Sequence, residues 1–292
     1  MASLTSSQTY QTTEKIPEYV TLLQSVFTGA KERYNSTYLR WLYYENPNGA
    51  VVGFDAWDDD RAVAHYVCIP LLANIQSGGP RKVLLSLNTA THPDYQGRGL
   101  FVKLASETYA LAAEQGYDAV IGVANANSTH GFVNRLGFQL VTPLSVRIGI
   151  GPLQIDATAA RDGATDLICS WPSEAIVWRL ANPHQQSRLV FQKGGIAGFA
   201  APATNAAFVA WTERPADSNW SLEPNPKWAD RRPRIFVGLL PPAAARMSAY
   251  VDLPNRLRPV PLNLIYKPLT RDVPPRLTAS NIFFDFLGFD AF

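Results

Sequence analysis

The sequence predicts an α/β protein with a mixed sheet, in the α+β manner, built twice over as two lobes. Three observations carry this reading. Between residues 82 and 124 a strand, a glycine-rich turn, an amphipathic helix and a second strand follow one another, and a crossover of that kind pairs its strands in parallel. Around the acidic turn Asp58–Asp60, two apolar runs read as strands joined directly, which adds neighbours from a hairpin to the same sheet. Finally, WLYYENPNGAVVGFDAW, from Trp41, is echoed by WRLANPHQQSRLVFQKG, from Trp178: a helix ending in Asn-Pro, a short loop, then a strand. The offset of 137 residues is close to half of the 292-residue chain and places the lobes at 1–152 and 153–292.

The elements are justified in order. EKIPEYVTLLQSVF and STYLRWLYYENP carry apolar residues at helical spacing, and Pro47 stops the second. AVVGFDAW and RAVAHYVCIP are the two hairpin strands, and KVLLSLNTAT is a long third. In GLFVKLASETYALAAEQG, Leu100, Leu104, Ala105, Tyr109, Leu111 and Ala112 make one apolar stripe, and Gly116 supplies the stop. YDAVIGVA is a buried strand, STHGFVNRLGF a short helix and FQLVTPLSVRIGI one final long strand. In the second half, IFVGLLPPAAARMSAYV is the nearest counterpart of the glycine turn and its helix, with Pro241 and Pro242 where amide donors would be needed. The second lobe is therefore expected to hold no anion.

Composition excludes several classes. The chain is 47% apolar and 17% charged, ordinary for a folded domain. Its 26 basic and 24 acidic side chains leave a net charge of +2, too weak a field to argue for nucleic acid or an anionic membrane surface. Cys68 and Cys169 stand far apart and outside any metal-ligand spacing, which points to a reducing compartment. The N-terminus lacks a signal pattern, and no run stays apolar for the roughly 18 residues of a membrane span, so the expectation is a cytoplasmic protein without a membrane partner. There is no Gly-x-Ser-x-Gly elbow and no His/Cys cluster, so no metal is expected.

The stretch THPDYQGRGLF, residues 91–101, puts Gly97 and Gly99 where other residues would cost about 0.5–1 kcal/mol less backbone entropy. A strand that runs through glycines into a helix exposes backbone N–H groups without internal partners, backed by the helix dipole, and such places bind phosphate. Arg98 adds charge at the rim. The loop lacks the Lys-Ser/Thr ending of a P-loop, and Val102 stands where the three-glycine dinucleotide fingerprint would need its last glycine.

Together with NANSTHGFVNRLGF downstream, HPDYQGRGLF resembles the acetyl-CoA-binding core of the GNAT acyltransferase superfamily over residues 10–150. Gln96 and Gly99 match the family's Gln/Arg-x-x-Gly-x-Gly/Ala signature; Phe101 replaces its last small residue. The longer wording NTATHPDYQGRGLFVKLA resembles a two-lobed subgroup among sugar N-acyltransferases. The resemblance implies an acyl-CoA, acetyl-CoA above all, as co-substrate, with its thioester between splayed strands ending at Thr91 and Ala124. It implies cofactor contacts from Thr89, Ala90, Thr91, Gln96, Gly97, Arg98, Gly99, Leu100 and Phe101, and from Asn125 and Asn127 toward pantetheine amides, although helix-start capping explains Asn127 almost as well.

The expected function is N-acyl transfer to a small-molecule amine, a nucleotide-linked amino sugar being one acceptor, by direct attack on the thioester, with the second lobe shaping the acceptor site. An aminoacyl-tRNA-dependent transferase and a non-catalytic acyl-CoA-binding module are the alternatives. Val133 occupies the position of the family's usual tyrosine acid, which keeps the last one open. His65, on a strand facing the cleft, and His130, at the start of the short helix, are the candidate bases. Neither acceptor identity nor oligomeric state is legible in the sequence.

Overall fold

The computed structural model describes residues 4–76, 79–161, 165–217, 220–228, 232–254, 258 and 262–289. In chain order the elements of the first half are β1 (Thr5–Gln8), α1 (Ile16–Val26), α2 (Ser36–Tyr44), β2 (Val52–Asp58), β3 (Arg61–Ile75), β4 (Pro80–Thr91), α3 (Leu100–Glu114), β5 (Ala119–Ala124), α4 (Ala126–His130), β6 (Gln139–Pro143) and β7 (Ser145–Gly149). The second half adds α5 (Ala157–Arg161), β8 (Leu167–Ser170), α6 (Ser173–Leu180), β9 (Arg188–Lys193), β10 (Ile196–Pro202), β11 (Val209–Pro215), β12 (Arg234–Gly238), β13 (Tyr250–Asp252), β14 (Asn263–Pro268) and β15 (Ile282–Phe283).

Local chemistry sets the helices. Pro17 sits in the first turn of α1, where its missing N–H is no loss, and Tyr19, Leu22 and Leu23 are buried below it. The Asn35 side chain caps α2 by accepting from the Tyr38 amide at 3.0 Å. Helix α3 buries Leu100, Leu104, Ala105, Tyr109 and Ala112 against Ala64, Tyr66, Cys68, Leu84 and Val120 of the sheet. That stripe is the one its sequence spacing predicts.

One compact unit consists of Met1–Leu71, Lys82–Leu140 and Ile265–Val273; the other of Leu72–Arg81, Val141–Leu264 and Pro274–Phe292. The division expected near residue 152 is thus replaced by several crossings, because strands are exchanged. The larger sheet runs β1-β2-β3-β4-β5-β14-β6, with β8 pairing β3 and β15 pairing β8. The place between β5 and β6 belongs to β14, from the far end of the chain. The six-stranded sheet runs β13-β7-β12-β11-β10-β9. The single long strand expected from FQLVTPLSVRIGI is accordingly two strands in two sheets: it breaks after Pro143, and β7 pairs antiparallel with β12 from Ser145↔Gly238 to Gly149↔Arg234.

Each sheet contains a parallel pair joined by a crossover connection, which is the duplicated α/β architecture, and the larger one also pairs β15 with β8 in parallel. In the first the crossover pair is β4 with β5, connected through α3; in the second it is β11 with β12, at Val209↔Arg234 and Ala210↔Ile235. Between β11 and β12 the described residues contain no α-helix, only a 3-10 turn at Pro226–Trp228. This corrects the expectation for Pro241 and Pro242. They follow β12, in a segment with no helix, and the second copy's counterpart of the glycine turn and α3 is the connection after β11. Trp211, Phe236, Val190, Ala200 and Tyr250 form the core of the six-stranded sheet.

Candidate active site

The parallel ladder between β4 and β5 covers Val83↔Ala119, Leu84↔Val120, Leu85↔Ile121 and Ser86↔Gly122. Among the described residues it ends there, although β4 continues to Thr91 and β5 to Ala124. Two residues past the last pair, Asn88 adopts φ +47°, the left-handed region, which turns β4 out of the ladder. A non-glycine residue there costs about 1–3 kcal/mol and is a feature of sites rather than of uniform strands. The diverging ends leave half-buried Thr89 and Thr91, on either side of buried Ala90, without a β5 partner. Backbone groups freed in this way can hold an extended ligand between two strands.

β4 then leads into the glycine turn. Gly97 and Gly99 have φ +75° and +74°, and a Cβ at either would meet nothing within 4 Å, so the turn is selected for its backbone and opens to solvent. The first intrahelical bond of α3 runs from the Lys103 amide to the Gly99 carbonyl at 3.1 Å, so the amides of Leu100, Phe101 and Val102 precede the ladder. With Gln96, Gly97, Arg98 and Gly99 all exposed, this end of a 15-residue helix presents bare N–H groups and the positive end of its dipole.

Arg98 is held by stacking 4.7 Å over the Tyr95 ring and donating to the Asp94 carbonyl at 3.1 Å. The turn is fastened to the β2–β3 hairpin: the Tyr95 hydroxyl donates to Asp58, Arg61 lies 2.6 Å from His92 Nε2, and the His92 amide donates to the Val63 carbonyl at 2.8 Å. A cavity of about 590 Å³ adjoins this junction, between α1 and the hairpin, lined by Glu18, Asp58, Asp59 and Asp60 together with Arg61 and His92.

Phe101 points into the core, where it meets Phe132 at 5.2 Å and Tyr66 at 5.9 Å between ring centroids. It fits because residue 131 is glycine: a Cβ there would come within 2.9 Å of Phe101 Cε1. The Phe101 substitution in the signature is therefore absorbed by packing, and the amides around it stay where the turn puts them. Gly131→Ala is expected to destabilise the protein by about 1–3 kcal/mol in denaturant titration, since the hemmed-in ring must move. Pairing it with Phe101→Leu should recover part of that loss; strictly additive effects would contradict the packing account.

Two histidines depart from expectation. His130 closes α4 rather than opening it, and is exposed. The cap at the start of α4 is Asn125, whose Oδ1 accepts from the Asn127 and Ser128 amides at 3.0 Å each; the capping weighed for Asn127 against a pantetheine contact belongs to Asn125, and Asn127 lies exposed in the first turn. His65 is buried, 1% exposed, with both ring nitrogens engaged: Nδ1 at 2.6 Å from Asp55 Oδ1 and Nε2 at 2.9 Å from the Tyr43 hydroxyl. It does not open onto a cleft, so the direct base role expected of it is not what the geometry offers.

What sequence reading missed is the company His65 keeps. Asp55 also receives the Tyr19 hydroxyl at 2.7 Å and the Thr9 hydroxyl at 3.2 Å, while the Tyr19 ring stacks on His65 at 4.6 Å. Tyr43 in turn receives the Asn88 side-chain amide at 2.9 Å. Burial pushes the Tyr43 hydroxyl well above its ordinary range, and burial with the Asp55 charge does the same for Tyr19, so both act as O–H donors at neutral pH. Alternation along RAVAHYVCIP places His65 opposite the α3 face, but nothing in the sequence marks Asp55, Tyr43 or Asn88 as its neighbours.

Cys68 and Cys169 are buried, and burial pushes both thiols up to about 12, which keeps them protonated and unreactive at neutral pH. Among the described residues no group of three or more His, Cys, Asp or Glu side chains could hold a metal, and no helix is long and apolar enough to cross a membrane.

Comparison with known proteins identifies this arrangement. A search of curated protein sequences found no match. A GCN5-related N-acetyltransferase from Anabaena variabilis superposes over 91% of this chain and 73% of its own, with a TM-score of 0.59 at 12% identity. Eis1 from Mycobacterium abscessus does so over 89% and 73%, TM-score 0.55, 12% identity, and a GCN5-related N-acetyltransferase from Kribbella flavida over 90% and 71%, TM-score 0.53, 11% identity. At these identities the likeness speaks for the fold, along nearly the whole chain. The sequence signature of the acetyltransferase (GNAT) domain matches residues 9–141, which hold the diverging strands, the glycine turn and α3. Residues 9–141 are therefore a GNAT acetyltransferase domain, the module of an acyltransferase whose co-substrate is an acyl-CoA.

Proposed function

We propose that the protein transfers an acyl group from acyl-CoA to the amino group of a small molecule by direct attack on the thioester. The observation that carries this reading is the ladder between β4 and β5, which ends at Ser86↔Gly122 just before the left-handed Asn88 and leads into the glycine turn. On this reading the pyrophosphate lies on the amides around Gly97 to Phe101, with Arg98 at the rim, and the pantetheine arm runs along Thr89, Ala90 and Thr91. Asn125, occupied in capping α4, and Asn127 are left to the far side of that arm.

An attacking amine must be neutral and must shed a proton after attack, and the departing thiolate gains from one. Val133, half-buried and apolar, donates nothing, so the thiolate takes its proton from solvent. The acidic lining of the cavity beside His92 supports an acceptor of net positive charge. A nucleotide-linked amino sugar brings phosphates that the same lining repels.

The test is to incubate the protein with acetyl-CoA and a panel containing a monoamine, a polycationic amine and a nucleotide-linked amino sugar, reading released thiol. Transfer is expected to be fastest, by about tenfold or more, with the polycationic amine, and to fall as salt screens the cavity. Preference for the nucleotide-linked acceptor would remove the cavity from the acceptor site. Coenzyme A binding without transfer to any amine would leave a binding module in place of an enzyme.

A further inference from the structure

The polar array below β4 is more ordered than packing requires. Asp55, His65, Thr9 and Tyr43 are all buried, at 1% exposure or less, and the Asp55 carboxylate meets His65 Nδ1 and accepts from the Thr9 and Tyr19 hydroxyls. His65 presents Nδ1–H to Asp55, which leaves Nε2 as an acceptor for the Tyr43 O–H. The Tyr43 oxygen, its proton given to His65, then accepts from Asn88 Nδ2. The chain of bonds therefore decides which way the Asn88 amide faces: NH₂ inward to Tyr43, carbonyl oxygen away from it. Asn88 is half-buried, and its Oδ1 has no partner among the described residues. It stands next to Thr89, at the point where β4 leaves β5. An amide hands on no proton at neutral pH, so this outlet of the array orients; it does not act as a base.

We propose that Asn88 is a substrate-contacting residue of the acyl transfer, its side-chain oxygen receiving an N–H of the acceptor's amino group, and that Asp55, His65 and Tyr43 are positioning residues acting through it. This rests on the acyl-transfer reading above and adds the group that holds the nucleophile. The acceptor, rather than pantetheine, is assigned because Asn88 turns toward Tyr43 of α2, whereas an extended arm between the strands is served by backbone groups of β4 and β5. Fixing the amine beside the thioester carbonyl is the orientation that converts a collision into an attack.

The test measures acceptor KM at saturating acetyl-CoA, with coenzyme A affinity by calorimetry on the same preparations. Asn88→Gly is the main variant, since glycine takes φ +47° freely and removes the amide without straining β4. It is expected to raise acceptor KM about tenfold, the loss of one well-placed hydrogen bond, and to leave coenzyme A affinity within about twofold. Tyr43→Phe keeps the ring but releases the amide to turn, and is expected to raise acceptor KM about threefold to tenfold. In the Asn88→Gly background Tyr43→Phe should change acceptor KM no further, a coupling that a purely structural tyrosine would not show.

An active wild type with unchanged acceptor KM in Asn88→Gly overturns the proposal. A parallel fall in coenzyme A affinity does so too, by assigning the amide to pantetheine, as do fully additive effects of the two changes. A wild type that binds coenzyme A and acylates no amine overturns the acyl-transfer reading itself.

Discussion

Gly99→Glu is expected to abolish coenzyme A binding in calorimetry while the protein stays folded. Gly99 is the residue immediately before α3, at φ +74°, and a Cβ added there meets nothing within 4 Å, so the side chain itself is accommodated. The backbone conformation costs a non-glycine residue about 1–2 kcal/mol, a fraction of the stability of a folded domain. The carboxylate, however, would sit on the amides of Leu100, Phe101 and Val102. There it satisfies the helix dipole in place of a phosphate and repels the pyrophosphate it displaces. Affinity should fall by at least about a hundredfold, against a much smaller loss in Gly99→Ala, which shares the backbone strain and lacks the charge. Equal losses in the two variants would mean that backbone shape alone governs the turn, and an unchanged affinity in Gly99→Glu would place the co-substrate elsewhere.

The second large effect concerns stability. In the unit built on the six-stranded sheet, Arg214 and Asp285 are each 1% exposed and pair at 3.2 Å. Arg214 also donates to the Cys169 carbonyl, while Asp285 accepts from the Thr212 hydroxyl at 3.4 Å and from the Leu287 amide at 3.0 Å. Removing one member leaves the other charge buried and unpaired. Arg214→Met is therefore expected to cost about 3–5 kcal/mol and to lower Tm by about 10 °C or more. Replacing both charges by apolar groups, as Arg214→Met with Asp285→Leu, should restore much of that stability, although the Leu287 amide loses its cap. A single variant as stable as the wild type would show that water reaches the pair.

Reading the sequence located the features whose signal is local. Gly97 and Gly99, the apolar stripe of α3 and the hairpin about Asp58–Asp60 each follow from spacing and backbone preference within about 15 residues, and each stands where it was expected. The echo between Trp41 and Trp178 likewise falls on α2 and α6, each followed by a loop and a strand. Where the signal was nonlocal, reading along the chain went astray. β6 and β7 form one unbroken apolar run, with Pro143 as the sole hint of a break, because which sheet a strand joins is decided by partners about 90 residues away in β12 and more than 100 away in β14. Pro241 and Pro242 drew attention as local signals, whereas the counterpart of α3 belongs after β11, where the described residues hold no α-helix, a correspondence visible only once the parallel pairs are matched.

The same division holds inside the site. The glycine turn is determined by the sequence itself, since bare amides at a helix start need only glycine and a following helix. The surroundings of His65 are set by the tertiary structure. Asp55 and His65 meet because β2 and β3 pair in register, and Tyr43 arrives from a helix and Asn88 from a strand that the chain brings together only by packing on that face. A side chain's role in proton bookkeeping depends on the donors and acceptors within about 3 Å of it, and those neighbours are a property of the fold.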